Sequence, residues 1–318
     1  MKIVILERNS VGTDISVDCF RDFGEVEIYG NTVTVEETRE RIKDADVVIG
    51  NKAPLNESTL AGSKVKLISD FSTGYDNIDT AYCKENGICV CNIQNYCTAA
   101  VAQHTIALTM YLLEHLPHYD RYVKDGTYAS QDRFSNFDLR FTELEGKTWG
   151  IVGMGHIGRK VAQIVEAMGC KVVFYSASGN SSVTEYTRVD FDTLLKDCDF
   201  ISIHCPLSER TRNLFDAEAF SKMKNSAILI NVARGPIIHT QALYDALTNG
   251  EIAAAGLDVL EQEPISKDNP LGQIQDSNKL IITPHLAWAS VEARQRCVDQ
   301  VYENIQNFLK GSPSRRIV

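Results

Sequence analysis

Apolar and polar positions follow two periods along the chain, and the order of these periods predicts an α/β fold. Short apolar runs that suit buried strands alternate with segments whose apolar residues recur every three or four positions, as in helices. In the first hundred residues the pattern predicts five strands: Lys2–Leu6, Glu25–Tyr29, Asp46–Ile49, Lys66–Ser69 and Ile88–Cys91. Helical patterns such as Val35–Ala45 and Ile78–Asn86 lie between them, which indicates a domain with a parallel sheet.

A second series of strands begins after a long helical pattern, Cys97 to Tyr122, and an irregular stretch, Asp125 to Thr142. Six strands are predicted there: Thr148–Val152, Lys171–Tyr175, Phe200–His204, Ala227–Val232, Ala253–Asp258 and Lys279–Thr283. The helical patterns between them are Ile157–Met168, Phe191–Leu195, Ala217–Met223 and Gln241–Leu247. Six strands with helical crossovers are typical of a Rossmann domain.

The last helical pattern, Val291 to Leu309, has no strand after it. The simplest arrangement is that the chain leaves the first domain, builds the second completely and then returns. We therefore predict two Rossmann-like α/β domains with parallel sheets. A cofactor domain, residues 100–286, is inserted into a flavodoxin-like substrate domain, residues 1–99 plus 287–318.

The start of the second domain carries a dinucleotide-binding pattern. Gly153, Gly155 and Gly158 form GxGxxG between a predicted strand and a predicted helix, where glycines allow a tight turn and a close approach to pyrophosphate. The next strand ends at Tyr175 and is followed by Ser-Ala-Ser instead of the acid that binds the ribose hydroxyls of NAD. Without that carboxylate the sequence favours NADP and leaves NAD open, because no arginine lies in this loop to bind a 2′-phosphate.

Composition narrows the function further. The 318 residues have a formal net charge of -10, which argues against a sequence-independent nucleic-acid binder, and no long uninterrupted apolar window predicts a membrane span. Nine cysteines, an odd number, indicate free thiols in a reducing compartment, so we expect a cytoplasmic protein. Cys89 and Cys91 are interpreted as packing residues, and no metal site is predicted.

Three stretches in the second half place reactive side chains just after predicted strands. Arg234 lies in NVARGPII, Glu263 in LDVLEQEP and His285 in ITPHLAWAS. The carboxyl ends of parallel strands share one edge of a sheet, where the dinucleotide also lies. Arginine binds a carboxylate with two hydrogen bonds, histidine transfers protons near neutral pH, and a neighbouring carboxylate orients the histidine ring. These residues predict the reduction of a 2-oxo acid, with His204 forming a wall of the cofactor site.

The chain resembles the D-isomer-specific 2-hydroxyacid dehydrogenases over essentially its full length. The matching stretches are STGYDNID, AVAQHTIAL, LEGKTWGIVGMGHIGRKVA, ISIHCPLSERTRNL, LINVARGPIIHTQAL, AGLDVLEQEP and ITPHLAWAS. The resemblance implies Arg234, Glu263 and His285 as the catalytic set, and Thr73, Gly74, Arg234 and His285 as substrate contacts. With the pattern above, it implies these cofactor contacts: Thr105, Gly153, Gly155, His156, Ile157, Gly158, Ser176, Ser178, His204, Cys205, Pro206, Thr211, Val232, Ala233, Arg234, Asp258, His285 and Ala287.

Within the family the chain looks most like the glycerate dehydrogenase and hydroxypyruvate reductase branch, because of Trp288 and Gln103. The common pattern has Gly in place of Ala287 and Glu in place of Gln103. The resemblance implies an NAD(P)-dependent oxidoreductase that reduces a small 2-oxo acid, and a homodimer built around the cofactor domains. Two alternatives use the same fold: a nucleotide-sensing, corepressor-like binding protein, and a phosphite or formate oxidiser.

Overall fold

The computed structural model describes residues 1–318 and contains twelve strands in two parallel sheets. The strands are β1 (Lys2–Ile5), β2 (Glu25–Ile28), β3 (Val47–Gly50), β4 (Leu67–Asp70), β5 (Cys89–Cys91), β6 (Thr148–Val152), β7 (Lys171–Tyr175), β8 (Thr187–Arg188), β9 (Phe200–Ile203), β10 (Ile228–Asn231), β11 (Ala254–Leu257) and β12 (Leu280–Ile282). Six of them are buried along their whole length, as expected of parallel strands covered on both faces: β3, β4, β5, β9, β10 and β11.

Eleven α-helices connect or flank these strands. They are α1 (Val35–Ile42), α2 (Glu57–Leu60), α3 (Thr80–Glu85), α4 (Thr98–Leu113), α5 (Leu116–Lys124), α6 (Thr127–Ser130), α7 (His156–Ala167), α8 (Phe191–Asp197), α9 (Ala217–Lys222), α10 (Thr240–Asn249) and α11 (Val291–Leu309). None of them combines the length and the apolar character that crossing a membrane requires.

The chain divides into two compact units, residues 1–97 with 289–318 and residues 98–288. The predicted boundaries of 1–99, 100–286 and 287–318 differ by two residues, because α4 begins at Thr98 and residues 287–288 belong to the second unit. The first unit has the sheet order β2-β1-β3-β4-β5, which is the flavodoxin-like order. The second has the order β12-β11-β10-β9-β6-β7-β8, which is the Rossmann order extended by one strand.

Two details differ from the sequence prediction. The helix expected from Cys97 to Tyr122 is divided at His115, which has a left-handed φ of 51°. Pro117 explains the break, since proline cannot donate a hydrogen bond within a continuing helix and instead occupies the first turn of α5. The seventh strand of the second sheet, β8, has only two exposed residues and therefore leaves no apolar pattern in the sequence.

Candidate active site

The turn between β6 and α7 has the geometry of a phosphate-binding loop. Gly153 has a φ of 97°, and a Cβ there would lie 2.7 Å from the amide nitrogen of Cys205, so only glycine fits. A Cβ on Gly155 would instead point into open space. Helix α7 begins at His156 without a side-chain cap, which leaves its first amides available to an anion.

A cavity of about 660 Å³ opens beside this turn. It is lined by the glycine turn, by the loop after β7 and by the loop after β9, namely Gly153, Met154, Gly155, Ser176, Ala177, Ser178, Asn180, Ser181, Cys205, Pro206, Ser208, Glu209, Arg210 and Thr211. Many of these were predicted as cofactor contacts. The free amides, the open approach at Gly155 and the volume of the cavity fit the adenosine and pyrophosphate of a nicotinamide dinucleotide.

The side of this cavity that the loop after β7 lines contains a residue that sequence reasoning missed. The loop after β7 has no acid, as expected, and the hydroxyls of Ser176 and Ser178 lie 3.3 Å apart. Arg210 comes from the loop after β9 and donates a hydrogen bond from Nη1 to the carbonyl oxygen of Ser178 at 3.2 Å. The loop after β7 contains no arginine, but the fold places Arg210 beside it, 32 residues further along the chain than Ser178. No local sequence signal indicates this contact.

Arg234 lies just beyond the end of β10, in a short turn that a buried asparagine holds in place. Asn231 accepts a hydrogen bond from the Ala233 amide and donates one to the carbonyl of Arg234, both at 3.0 Å. The next residue, Gly235, lies so close to the Leu260 backbone that a side chain would collide with it. The exposed guanidinium of Arg234 is thereby set at the carboxyl edge of the sheet. Asn231 was not predicted as a functional residue.

Glu263 and His285 form a direct pair at the same edge. His285 Nδ1 lies 2.7 Å from Glu263 Oε2, and the other carboxylate oxygen accepts a hydrogen bond from the Leu260 amide at 2.9 Å. Because a carboxylate only accepts, Nδ1 carries the proton of this bond, and Nε2 is left for exchange with a substrate. Both side chains are about two-fifths exposed, so a substrate can reach them.

A buried carboxylate fixes the loop that carries His285. Asp258 is 2% exposed and accepts hydrogen bonds from the amides of Leu286 and Ala287, both at 2.9 Å, and from the Thr283 hydroxyl at 2.6 Å. Its backbone carbonyl accepts from the amide of His285 at 2.8 Å. Asp258 was predicted as a cofactor contact, which stays a prediction; the visible role is to position the loop.

His104 joins this network from helix α4. Its Nε2 lies 3.0 Å from the Thr283 hydroxyl and 3.6 Å from Asp258 Oδ1. Burial lowers the pKa of His104, and the nearby carboxylate of Asp258 opposes this shift only in part. A neutral ring that donates to Thr283 fits the position, because the Thr283 hydroxyl already donates to Asp258.

The remaining predicted cofactor residues are distributed along the sheet edge and behind it. Thr105 is fully buried, and its hydroxyl donates to the carbonyl of Val101 at 2.8 Å. Burial lowers the pKa of His204 to about 3, and its Nε2 lies 2.9 Å from Ser202 Oγ. A histidine ring that stays neutral is suited to line the cofactor site and is not suited to act as a general acid. The contacts expected of Thr105, His204, Pro206, Val232 and Ala287 with a cofactor stay predictions.

The predicted substrate residues Thr73 and Gly74 lie in the loop that follows β4 in the first unit. The Thr73 hydroxyl donates to the carbonyl of Ile93 and the side-chain amide of Asn92 donates to the carbonyl of Thr73, both at 2.8 Å. The backbone amides of Thr73 and Gly74 donate to no acceptor in the protein. Such a braced loop with free donors is suited to bind an anion.

A Rossmann sheet whose carboxyl edge also carries a histidine paired with a carboxylate is the arrangement of a dinucleotide-dependent dehydrogenase. The family model for the D-isomer specific 2-hydroxyacid dehydrogenase, NAD binding domain, matches residues 106–287. The chain belongs to this family, as predicted.

Named relatives agree with this family. The chain is 39% identical to a hydroxypyruvate reductase of Blautia hydrogenotrophica, an alignment that covers 98% of each chain. It is 38% identical to a glycerate dehydrogenase of Methylorubrum extorquens, with 98% of this chain and 97% of the other covered. These are names of enzymes, and they give no support to the corepressor interpretation.

Solved structures share the fold over the whole chain. An acyclic imino acid reductase in complex with NADPH and D-Arg has a TM-score of 0.87 at 30% identity, with both chains covered completely. A D-lactate dehydrogenase from Aquifex aeolicus, complexed with NAD and lactic acid, has a TM-score of 0.82 at 28% identity, covering 98% of this chain and 96% of the other. A nicotinamide cofactor is common to both, whereas the phosphorylation of its ribose differs.

Proposed function

We propose that the protein reduces a small 2-oxo acid, of the hydroxypyruvate or glyoxylate type, to the 2-hydroxy acid, with the D configuration where the product is chiral. The observation that carries the proposal is the 2.7 Å hydrogen bond between His285 Nδ1 and Glu263 Oε2 at the sheet edge that also carries Arg234. The names of the two relatives support the substrate class, since hydroxypyruvate and glycerate are both three-carbon acids.

A nicotinamide dinucleotide held by the glycine turn and by the loops after β7 and β9 would supply the hydride that the carbonyl carbon needs. Arg234 binds the substrate carboxylate and polarises the carbonyl. His285 gives the proton on Nε2 to the oxygen as it gains negative charge, which balances the hydride with a proton. Glu263 holds the ring in the required tautomer and stabilises its positive charge before transfer.

A panel of 2-oxo acids assayed with NADH and with NADPH tests the substrate class. We expect turnover with hydroxypyruvate, glyoxylate or a close analogue, and a D product wherever C2 is chiral. Tight cofactor binding without turnover on any member of the panel would contradict the proposal and favour a binding protein.

For the cofactor, we infer that NADPH is accepted at least as well as NADH. The loop after β7 has serines at the position where an acid would repel a 2′-phosphate. Ser176→Asp should restore that repulsion and raise the Michaelis constant for NADPH with little change in turnover, because the phosphate is remote from the reacting carbon. A wild type that strongly prefers NADH would contradict this inference.

We also propose a homodimer formed through the cofactor domains. The segment between α6 and β6 exposes three phenylalanines, Phe134 (91%), Phe137 (73%) and Phe141 (54%), which is unusual for a surface in water. Replacing Phe134 and Phe137 with serine should convert a dimer into a monomer in analytical ultracentrifugation. A wild type that sediments as a monomer would contradict the assignment.

We place the protein in the cytoplasm because its nine cysteines are all free thiols and seven of them are buried. Free buried thiols suit a reducing compartment. Fractionation of cells that produce the protein, with tagged chain detected in the soluble cytoplasmic fraction, is the expected result. Recovery from an oxidising compartment would contradict it.

A further inference from the structure

Arg210 occupies a position in the cofactor cavity that the catalytic mechanism does not use. It lies in the loop between β9 and α9, and it lines the cavity together with Ser176, Ser178 and Asn180 of the loop after β7. Its Nη1 donates to the Ser178 carbonyl at 3.2 Å. That partner is neutral, and no carboxylate forms an ion pair with the guanidinium. A positive charge is therefore held at this loop without being neutralised.

The residues around Arg210 indicate which kind of ligand its positive charge would bind. In a Rossmann domain the adenosine ribose lies at the end of the second strand, which here is β7, so its 2′ substituent points toward the loop that holds Ser176 and Ser178. A guanidinium has five N–H donors in a planar fork and binds phosphate with two of them at once. One donor of Arg210 is used on Ser178, and the others are free for a phosphate.

Glu209 is the one acidic residue that lines the cavity, and its charge opposes a phosphate. Glu209 and Arg210 differ in their hydrogen bonds to the rest of the protein. Arg210 is bonded to the facing loop, whereas Glu209 is exposed and forms no hydrogen bond or ion pair with another side chain. An unrestrained carboxylate at the rim can turn toward water, and screening by salt weakens its effect.

We propose that Arg210 determines cofactor specificity by binding the 2′-phosphate of NADP(H), with the serine hydroxyls of the loop after β7 as its partners. The phosphate is recognised by an arginine supplied from the loop after β9, although the strand-end loop itself contains none. The proposal rests on the proposed function only in taking a nicotinamide dinucleotide as the ligand of this cavity.

Calorimetric titration with cofactor fragments tests the proposal without requiring turnover. Adenosine 2′,5′-bisphosphate carries the 2′-phosphate, and 5′-AMP lacks it, so the ratio of their affinities isolates that group. Arg210→Ala should weaken binding of the bisphosphate by about tenfold or more and leave 5′-AMP binding unchanged, because a charge-assisted bidentate contact is lost. Arg210→Lys should lose less, since the charge remains without the fork.

Arg212→Ala is the matched control, because Arg212 is an exposed arginine in the same loop that does not line the cavity. It should leave both affinities unchanged, and Glu209→Gln should strengthen bisphosphate binding. If Arg210→Ala weakened the binding of both fragments equally, Arg210 would have a structural role only. If it changed neither affinity, Arg210 would not contact the ligand. Each result would overturn the proposal. If the protein reduces no 2-oxo acid yet shows the predicted fragment ratio, the substrate proposal fails while this one stands.

Discussion

Each of the two sheets has a turn of backbone amides at the carboxyl end of one strand. In one turn a side chain of the protein accepts the hydrogen bonds of the amides, and in the other turn none does. After β3, the amides of Asn51, Lys52 and Ala53 all donate to one carboxylate oxygen of Glu7, at 2.6, 2.8 and 3.1 Å. After β6, the glycine turn and the first turn of α7 face an open cavity without a side-chain acceptor. The first turn holds an anion that belongs to the protein, and the second is free to bind one from solution.

Strand ends in a parallel α/β fold commonly carry turns of backbone amides that can bind an anion. Whether such a turn binds a ligand depends on whether a side chain of the protein already occupies it. Glu7 is 7% exposed, so its carboxylate stays bound to the turn after β3 and the turn has a structural role. Glycine at positions 153 and 155 leaves the other turn open to a ligand. The first turn should therefore affect stability alone, and the second should affect binding and catalysis alone.

The largest effect should come from His285, at the open edge of the second sheet. His285→Ala removes the proton donor, and we expect turnover to fall by about a hundredfold or more, the usual contribution of general acid catalysis. Cofactor affinity, measured by fluorescence titration, should change little. Near wild-type turnover in this variant would remove His285 from its assigned role, and the neutral ring of His204 would not replace it.

The next effect should come from the filled turn. Glu7→Gln leaves three amides with a neutral acceptor in place of a charged one, and we expect the free energy of unfolding to fall by about 2 kcal/mol. Chemical denaturation measures this loss, with Glu40→Gln on the exposed face of α1 as the control. Cofactor affinity should not change. A Glu7→Gln variant as stable as the wild type would show that the carboxylate is not needed there.

A smaller effect should come from the open turn. Gly155→Ala adds a methyl group that no protein atom contacts, so the fold should be as stable as before. The methyl occupies the approach to the pyrophosphate, and we expect cofactor binding to weaken about tenfold, or roughly 1.4 kcal/mol. Gly272→Ala is the control, because its Cβ also meets open space but lies outside the cavity. Unchanged affinity in Gly155→Ala would place the pyrophosphate elsewhere.

The smallest effect concerns Asp70, which is fully buried beside Glu7 in the first unit and has one oxygen without a partner. Burial raises its pKa from 3.8 to about 8, and the charge of Glu7 adds to the shift. The folded state therefore binds this proton more tightly than the unfolded state, so stability should fall as pH rises from about 4 to about 8.

Asp70→Asn should remove this part of the pH dependence and raise the melting temperature at pH 8 relative to wild type. Thermal denaturation at several pH values measures it, with the exposed Asp76→Asn as the control. If wild type and Asp70→Asn have parallel pH profiles, the carboxyl group of Asp70 does not titrate in this range.

The sequence predicted most of the fold because buried parallel strands and amphipathic helices leave periodic apolar patterns. Strand β8 and the break at His115 were missed, the first because two exposed residues carry no pattern and the second because Pro117 overrides the helical spacing. The pairing of Glu263 with His285 was predictable, since both follow strands that end at one edge.

Contacts between distant loops were not predictable. The bond from Arg210 to Ser178 depends on how two loops at the sheet edge approach each other, and neither loop contains a pattern that specifies this. The same holds for Asp258, whose carboxylate fixes the loop of Leu286 and Ala287 by hydrogen bonds to backbone amides. Backbone donors are present at every residue except proline, so their partners cannot be inferred from residue type.

We claim that a hydride from a nicotinamide cofactor reaches the C2 carbon of a small 2-oxo acid. The most direct measurement is the reduction of hydroxypyruvate with NADPH that carries deuterium in place of both hydrogens at the nicotinamide C4. Mass spectrometry and chiral chromatography of the product should show D-glycerate with one deuterium at C2, formed in equal amount to the cofactor oxidised, and His285→Ala should form it at least about a hundredfold more slowly. Glycerate without deuterium, or bound NADPH that is never oxidised by any 2-oxo acid, would contradict the claim.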